Sequence, residues 1–301
     1  MTRTDLLLRA EHLRSQRTPF VLATVVRAQR PTSAKAGDSA LVLPDGTLDG
    51  FVGGTCAEST VRLEGLRLLA TGESTLLRIV PEPSEHDEPA EGVVTVANPC
   101  LSGGALEIFL EAMLPPTLLR VFGDGPIARA LVTVGEAAGY EVAATTDPDA
   151  PIPADTAAAV LASHGRDEER ALTAALAAGV PYVALVASRR RAAAVLAGLD
   201  LPEEQISRVR SPAGLDIGAR GAPEIALSIL AEIIASRPRE SRPTVVAPAA
   251  SPVTAVDPVC GMSVAVAPAS LRLTHADQTW YFCGPGCRAA FADDPNRYTG
   301  G

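Results

Sequence analysis

Thr117-Leu118-Leu119-Arg120-Val121-Phe122, followed by Gly123-Asp124-Gly125-Pro126-Ile127-Ala128, decides the fold of this chain. The first six residues read as a buried strand. An alanine-rich helix to about Ala138 and a second strand over Glu141 to Thr146, ending at Asp147, come after the glycines. Strand, glycine turn, helix and strand in that order predict a dinucleotide-type fold. Its glycines, Gly123 and Gly125, permit a tight turn and the close approach of a phosphate to a helix N-terminus. Asp147 lies near the usual distance for a ribose-binding carboxylate, whereas Asp124 inside the loop repels phosphate. The fold therefore carries a nucleotide or stands without one.

Downstream the alternation continues. A strand over Ala157 to Ala162 leads to Ser163-His164, a helix follows from Glu168 to Ala178, and Val180 to Ala187 is the next strand. Ser188-Arg189-Arg190-Arg191 opens another helix, which puts cations and unpaired N–H groups at the carboxyl edge of a parallel sheet and favours an anionic ligand. Arginines at a helix start also point to solvent. Pro212 to Arg220 is a glycine-rich loop, and Ala222 to Ala235 is the last helix of a Rossmann-like parallel-sheet domain over residues 115–237. Residues 238–255 are rich in Pro, Arg, Ala, Ser and Val without periodicity, and read as a semi-extended linker.

Upstream, residues 1–114 read as a mixed α/β domain. An opening helix over Asp5 to Ser15 turns Leu6, Leu7, Leu8 and Leu13 towards a core, and a strand runs from Phe20 to Arg27. A small-residue loop from Arg30 to Gly37 carries Lys35, and a hairpin over Ser39 to Val52 then delivers the chain to Gly53-Gly54-Thr55-Cys56-Ala57-Glu58. The glycines allow a tight turn, and Cys56 opens a helix reaching about Ala70. A thiol there feels the positive end of the helix dipole, which favours the thiolate that attacks sulfur or binds metal. A buried structural cysteine behind a glycine turn is the alternative. Ser74 to Val80 is a further strand, and Asn98-Pro99-Cys100-Leu101-Ser102-Gly103-Gly104 repeats the pairing of cysteine with a double glycine before the strand Ala105 to Glu111.

The tail, residues 256–301, is a separate small module. Asp257-Pro258-Val259-Cys260-Gly261-Met262 precedes a hairpin, and Trp280-Tyr281-Phe282-Cys283-Gly284-Pro285-Gly286-Cys287 leads into a short helix. So small a module gains from a bound metal. Cys260, Cys283 and Cys287 supply three ligands, and His275 completes a tetrahedron for zinc or another soft metal. The alternative is that these cysteines pack as apolar residues or act as a redox pair.

Composition narrows the function. A net charge of -9 argues against a general nucleic-acid or membrane surface, because phosphate binding needs clustered Lys and Arg. No apolar run approaches the roughly 20 residues that span a bilayer, so a cytoplasmic protein is expected. Five cysteines, three of them in the tail, suit metal or thiol chemistry better than a disulfide framework.

Taken together, the GGTCAE turn at 53–58, FGDGPIARAL at 122–131, ASRRR at 187–191 and SPAGLDIGARGAPEIALSILAEIIA at 211–235 resemble the XdhC/CoxI family. The tail resembles a YHS domain through DPVCGM, YFCGPGC and DPNRY. The resemblance implies an α/β protein with an XdhC/CoxI-type N-terminal domain, a Rossmann-like domain and a small metal-binding module. It implies an accessory factor for molybdenum hydroxylases of the xanthine dehydrogenase or carbon monoxide dehydrogenase type. Such a factor binds the molybdenum cofactor (molybdopterin, often as its cytosine dinucleotide), protects it during sulfuration, and delivers it to the apo-enzyme. On this reading Cys56 contacts the metal centre and Glu58 orients it or accepts a proton. Gly53, Gly54 and Cys100 shape the same pocket, while Gly123, Gly125, Ser188, Arg189 and Arg190 hold phosphate and Asp147 a ribose. The implied partners are the apo molybdenum hydroxylase, a sulfur-donating cysteine desulfurase and further copies of the chain. Two departures stand out: Thr55 replaces the family's usual glycine, and Pro126 its common histidine. Three readings remain: a cofactor chaperone without turnover, an NAD(P)-dependent oxidoreductase or persulfide sulfurtransferase, and a heavy-metal adaptor.

Overall fold

The computed structural model describes residues 2–81, 91–97, 104–237 and 252–299. The chain divides into two compact units, Met1–Pro115 with Pro248–Gly301, and Pro116–Ala247. The tail thus belongs to the same unit as the N-terminal domain. The turn carrying Cys100 and most of the expected linker lie outside the described residues.

The first unit opens with α1 (Arg3–Ser15), started by a capping box in which the Thr2 hydroxyl accepts from the Asp5 N–H and the Asp5 carboxylate accepts from that of Thr2. Leu6 and Leu13 are buried, but Leu7 and Leu8 are exposed, contrary to the expected apolar face. Successive helical residues are about 100° apart, so four leucines that include three in a row cannot share one face. Next come β1 (Phe20–Gln29), β2 (Ser39–Val42), β3 (Leu48–Gly50), α2 (Thr55–Thr71), β4 (Thr75–Val80), β5 (Val93–Ala97) and β6 (Ala105–Met113). They form one sheet in the order β3-β2-β1-β6-β4-β5, antiparallel except for the β4 and β5 pair. Strand alternation divides the core. Val21, Ala23, Val25 and Val42 pack with Val61 and Leu68 of α2, while Phe20, Leu41 and Leu43 pack with Leu6 and Leu13 of α1.

The second unit contains β7 (Leu118–Phe122), α3 (Pro126–Ala137), β8 (Glu141–Thr145), β9 (Thr156–Leu161), α4 (Glu168–Ala177), β10 (Tyr182–Leu185), α5 (Arg189–Ala197), the short α6 (Glu203–Ile206), β11 (Val209–Arg210) and α7 (Ala222–Ala235). All strand pairs are parallel and the order is β11-β10-β9-β7-β8. Residues of β7 and β10 are buried throughout, as expected of strands covered on both faces. α3 and α7 pack on one face through Leu131, Ile229 and Ile233, while α4 packs on the other through Leu172 and Leu176. Connections leave in opposite directions from β7 and β9, so the crevice at their carboxyl ends is the switch point of the sheet.

The tail supplies β12 (Thr254–Val256) paired with β13 (Ser263–Ala265), β14 (Leu271–His275) paired with β15 (Gln278–Phe282), and α8 (Pro285–Asp293). Phe291 of α8 gathers Trp280, Phe282 and Tyr298 around it, a small aromatic core in place of a large aliphatic one.

α2 approaches the sheet closely because it carries Gly65, where a Cβ would stand 3.0 Å from Val42 side-chain carbons. Gly65→Leu should overpack this contact and destabilise the first unit by about 1–3 kcal/mol, read as a lower thermal midpoint; an unchanged midpoint would mean that the interface yields.

Candidate functional site

The expected thiol turn lies where the β2–β3 hairpin hands the chain to α2. Gly53 has φ +135°, and a Cβ there would stand 3.2 Å from Leu106 Cδ1 and 3.3 Å from Ala57 Cβ. Only glycine fits that conformation and space. Gly54 is the N-cap, with no side chain to cap the helix, and the Glu58 N–H donates to its carbonyl at 3.0 Å. Cys56 is half-buried in the first turn of α2, one residue from Thr55, the first helical residue. Glu58 is held above the usual carboxylate range because burial penalises its charge, an effect that nearby Arg62 partly offsets. Ala34 of the Arg30 to Gly37 loop lies 3.8 Å from the Cβ position of Gly53, so this loop does meet the thiol turn, with Lys35 exposed on it. Gly104 presses on the same loop, its Cβ position 2.1 Å from the Pro31 carbonyl oxygen. Cys100, expected in this pocket, lies outside the described residues.

The three tail thiols converge. Cys260 Sγ is 3.6 Å from Cys283 Sγ, which is 3.7 Å from Cys287 Sγ. One ligand atom from each of these, together with a carboxylate oxygen of Asp257, lies within 4.8 Å of the others. Asp257 is fully buried; its Oδ2 accepts the Cys283 N–H at 2.8 Å and its Oδ1 the Val259 N–H at 2.9 Å. It ties the first cysteine knuckle to the second. Burial pushes the Cys287 thiol up to about 12, and a hydrogen bond with Cys56, followed by burial, raises that of Cys283. His275, expected as the fourth ligand, is outside this group. It ends β14 with its ring edge-on to Phe291, centroids 6.1 Å apart. The donors present, three thiols at these separations, fit a soft metal ion.

The tail sits on the thiol turn. Cys56 packs against the cluster of Met262, Val264 and Cys283, and a Cβ on Gly284 would meet Thr55 Oγ1 at 2.8 Å. Thr60, Glu64 and Arg67 of α2 share with Cys260, Gly261, Met262 and Ser263 a cavity of about 320 Å³.

In the second unit the glycine turn follows β7 as expected. Gly123 has φ +123°, and a Cβ there would lie 2.4 Å from the Ala162 carbonyl oxygen. Gly125 is the N-cap of α3, and its Cβ position is 2.6 Å from His164 Nε2, so the imidazole lies directly over it. Asp124 is paired with Arg166 at 2.8 Å, which answers the charge inside the loop. The Glu168 carboxylate, buried, accepts from the Gly165 N–H at 2.9 Å and pairs with Arg191, fixing the turn that carries His164. The crevice bounded by Phe122, Gly123, Asp124, Ser163 and Arg166 holds only about 60 Å³, well below the roughly 300 Å³ of an ordinary ligand site. Ser188 caps α5 by accepting the Arg191 N–H, and Arg189 and Arg190 are exposed. Asp147 is exposed as well, and its Oδ1 accepts from the Asp149 N–H at 3.0 Å. The Leu215 to Arg220 run is anchored at its start by Glu232, whose Oε2 accepts both the Gly214 N–H at 2.7 Å and the Tyr182 hydroxyl at 2.6 Å.

Sequence reasoning gave no role to Asp257, Glu168 or Glu232, and read Arg191 only as one of three cations favouring an anion. For Asp257 a signal existed, an acid three residues before a cysteine in a proline turn. The others act across long separations that no local spacing reveals.

An α/β unit with a thiol turn and a cysteine module, joined in one chain to a parallel α/β unit with a glycine turn, is the class these observations define. The chain is similar in turn to the XdhC and CoxI family, to the XdhC Rossmann domain and to a YHS domain. The model of the XdhC and CoxI family matches residues 13–80, that of the XdhC Rossmann domain residues 119–233, and that of the YHS domain residues 255–301. The uncharacterized protein YqeB of Escherichia coli is 28% identical over 76% of the chain, which spans 46% of that protein's length. The molybdenum cofactor insertion chaperone PaoD of Escherichia coli is 25% identical over 72% of the chain and 83% of its own. A solved structure described as a xanthine dehydrogenase from Bacillus halodurans is 19% identical over 80% of this chain and 98% of that one, with a TM-score of 0.38.

Because Glu58 binds its proton more tightly in the folded chain, its contribution to stability is unfavourable above its raised pKa and is relieved as pH falls towards the ordinary carboxylate value. Glu58→Gln should therefore remove a decline in stability with rising pH across that window. Parallel denaturation curves for both chains at every pH would refute the assignment.

Proposed function

We propose that the chain is an accessory factor for a molybdenum hydroxylase, binding the molybdenum cofactor and assisting its sulfuration and insertion. The observation that carries this reading is Cys56 in the first turn of α2, behind Gly53 and Gly54 and two residues before a carboxyl whose pKa burial raises. Kinship with PaoD, by its name an insertion chaperone, supports it. When bound, the cofactor supplies a metal centre whose terminal sulfur is the chemistry to be protected.

This chain's own residues then have defined tasks. Gly54 leaves its Cβ position open to at least 4 Å, so backbone can approach a ligand there. The first N–H groups of α2 have no side-chain cap and are oriented towards such a ligand. Cys56 offers a soft sulfur to a metal or a sulfur atom. Glu58, two residues on and with its pKa raised by burial, takes the thiol proton when Cys56 binds and returns it once Cys56 is released. In the second unit the first N–H groups of α3, without a side-chain cap, are the donors that would hold a phosphate. That phosphate belongs to the pterin, its cytosine dinucleotide form or NAD(P). The apo-hydroxylase is the receiving partner, and a cysteine desulfurase is the sulfur source.

The chain purified from cells that make the cofactor should carry molybdenum and pterin in matched amounts, measured by elemental analysis and by fluorescence of the released pterin. Cys56→Ser should lose most of both while keeping the wild-type circular dichroism. Undiminished molybdenum and pterin in the variant would remove Cys56 from the site, and their absence from the wild type would overturn the cofactor reading.

A further inference from the structure

A tetrahedral zinc thiolate with Zn–S bonds of about 2.3 Å has sulfur atoms about 3.8 Å apart. The tail's contacts of 3.6 and 3.7 Å match that edge, and they place Cys283 at a vertex shared with Cys260 and Cys287. Three thiols leave one vertex to be filled. An Asp257 oxygen lies within 4.8 Å of the three sulfurs, but both its oxygens are held by backbone N–H bonds, each with one lone pair left, and His275 is turned to Phe291. Cys56, from the other domain of the same unit, is the thiol that packs on this cluster. We propose that Cys56 is the fourth sulfur ligand of a soft-metal site with Cys260, Cys283 and Cys287, and that the metal fastens the tail over the thiol turn.

Two further contacts fit this arrangement. Gly284, beside Cys283, lies against Thr55, with only 2.8 Å from its Cβ position to Thr55 Oγ1, so a larger residue there would lift the knuckle from α2. The Asp45 carbonyl accepts the Ala269 N–H at 3.2 Å, which joins the tail to the β2–β3 hairpin. The tail therefore reaches Cys56 in a fixed register. Metal binding there releases thiol protons and needs no oxidant. The class of ligand is a d¹⁰ ion of the zinc or cuprous type, which imposes no geometry against a four-sulfur tetrahedron. A consequence for cofactor loading rests on the function proposed above: while its sulfur is shared with the tail, Cys56 is withheld from any other metal centre. The tail is then a metal-dependent cap on the loading thiol.

The test uses the full chain, reduced and free of pterin, titrated anaerobically with Co²⁺ as a spectroscopic probe and then displaced by Zn²⁺. Wild type should bind one equivalent with the visible d–d bands and sulfur-to-metal charge transfer of a four-thiolate tetrahedron. Cys56→Ser should weaken binding about 10–100-fold and move the d–d bands to higher energy, as replacing sulfur by a harder ligand requires. Cys283→Ser should abolish the tetrahedral spectrum. In the zinc-loaded wild type, alkylation mapped on the peptide carrying Cys56 should be slowed at least tenfold, and Gly284→Leu, which leaves every ligand in place, should restore it. Identical spectra and affinities for wild type and Cys56→Ser would overturn the proposal, as would full alkylation of Cys56 in the zinc-loaded chain. Because the titration contains no pterin, its failure leaves the loading function untouched, and a chain that binds no pterin leaves the metal site untouched.

Discussion

Both candidate sites depend on one backbone constraint: a glycine with positive φ must turn a strand into a helix whose N-cap is a second glycine. Gly53 and Gly54 do this before α2, and Gly123 and Gly125 do it before α3. Neither N-cap has a side chain that satisfies the first N–H groups. Glycine caps about as well as threonine in isolation, so little helix stability is lost. What is gained is an approach to the helix end with no Cβ in the way. The two turns differ in what stands over them. At Gly54 there is open space, whereas at Gly125 the His164 imidazole lies within 2.6 Å of where a Cβ would be.

Local chemistry made the helices and turns legible. α7 runs over the residues expected from its apolar spacing, and the ends of α2 were set by Gly54 and by Gly72, the latter in the left-handed conformation that stops a helix. The alternation of strand and helix from β7 onward announced the parallel sheet. β5 was not foreseen, because Val93–Ala97 follows an acidic, proline-rich stretch and pairs in parallel with β4 across the described sheet. A short edge strand whose side chains are only partly buried carries a weak periodic signal. The same limit explains α1, where counting leucines suggested a wider buried face than 100° steps allow.

The site was legible only in part. Cys56 could be singled out from its glycines, and the tail cysteines from their spacing, because both signals lie within a few residues. Their meeting could not be read, since about 200 residues and a whole Rossmann unit separate Cys56 from Cys260 along the chain. The contact is a tertiary fact, recorded in sequence only as two small residues, Thr55 and Gly284, that make sense once they are seen to lie together. The arginines following Ser188 show the opposite case. Position suggested that Arg189 and Arg190 hold an anion, yet Arg191, the third of the run, is the one engaged, and its partner is the buried Glu168.

Asp257 ranks the forces at the thiol cluster. A fully buried carboxylate is costly, and the two backbone N–H bonds it accepts offset that cost only partly. A cation placed among the neighbouring thiols stabilises the carboxylate and the thiolates together, since each sulfur then needs less of its proton and the carboxylate faces positive charge within a few ångströms. The cluster is thus built at a loss that metal binding repays. That coupling makes the knuckle sensitive to the ion rather than rigid without it, and whatever rests on the knuckle, including the first turn of α2, inherits the same sensitivity.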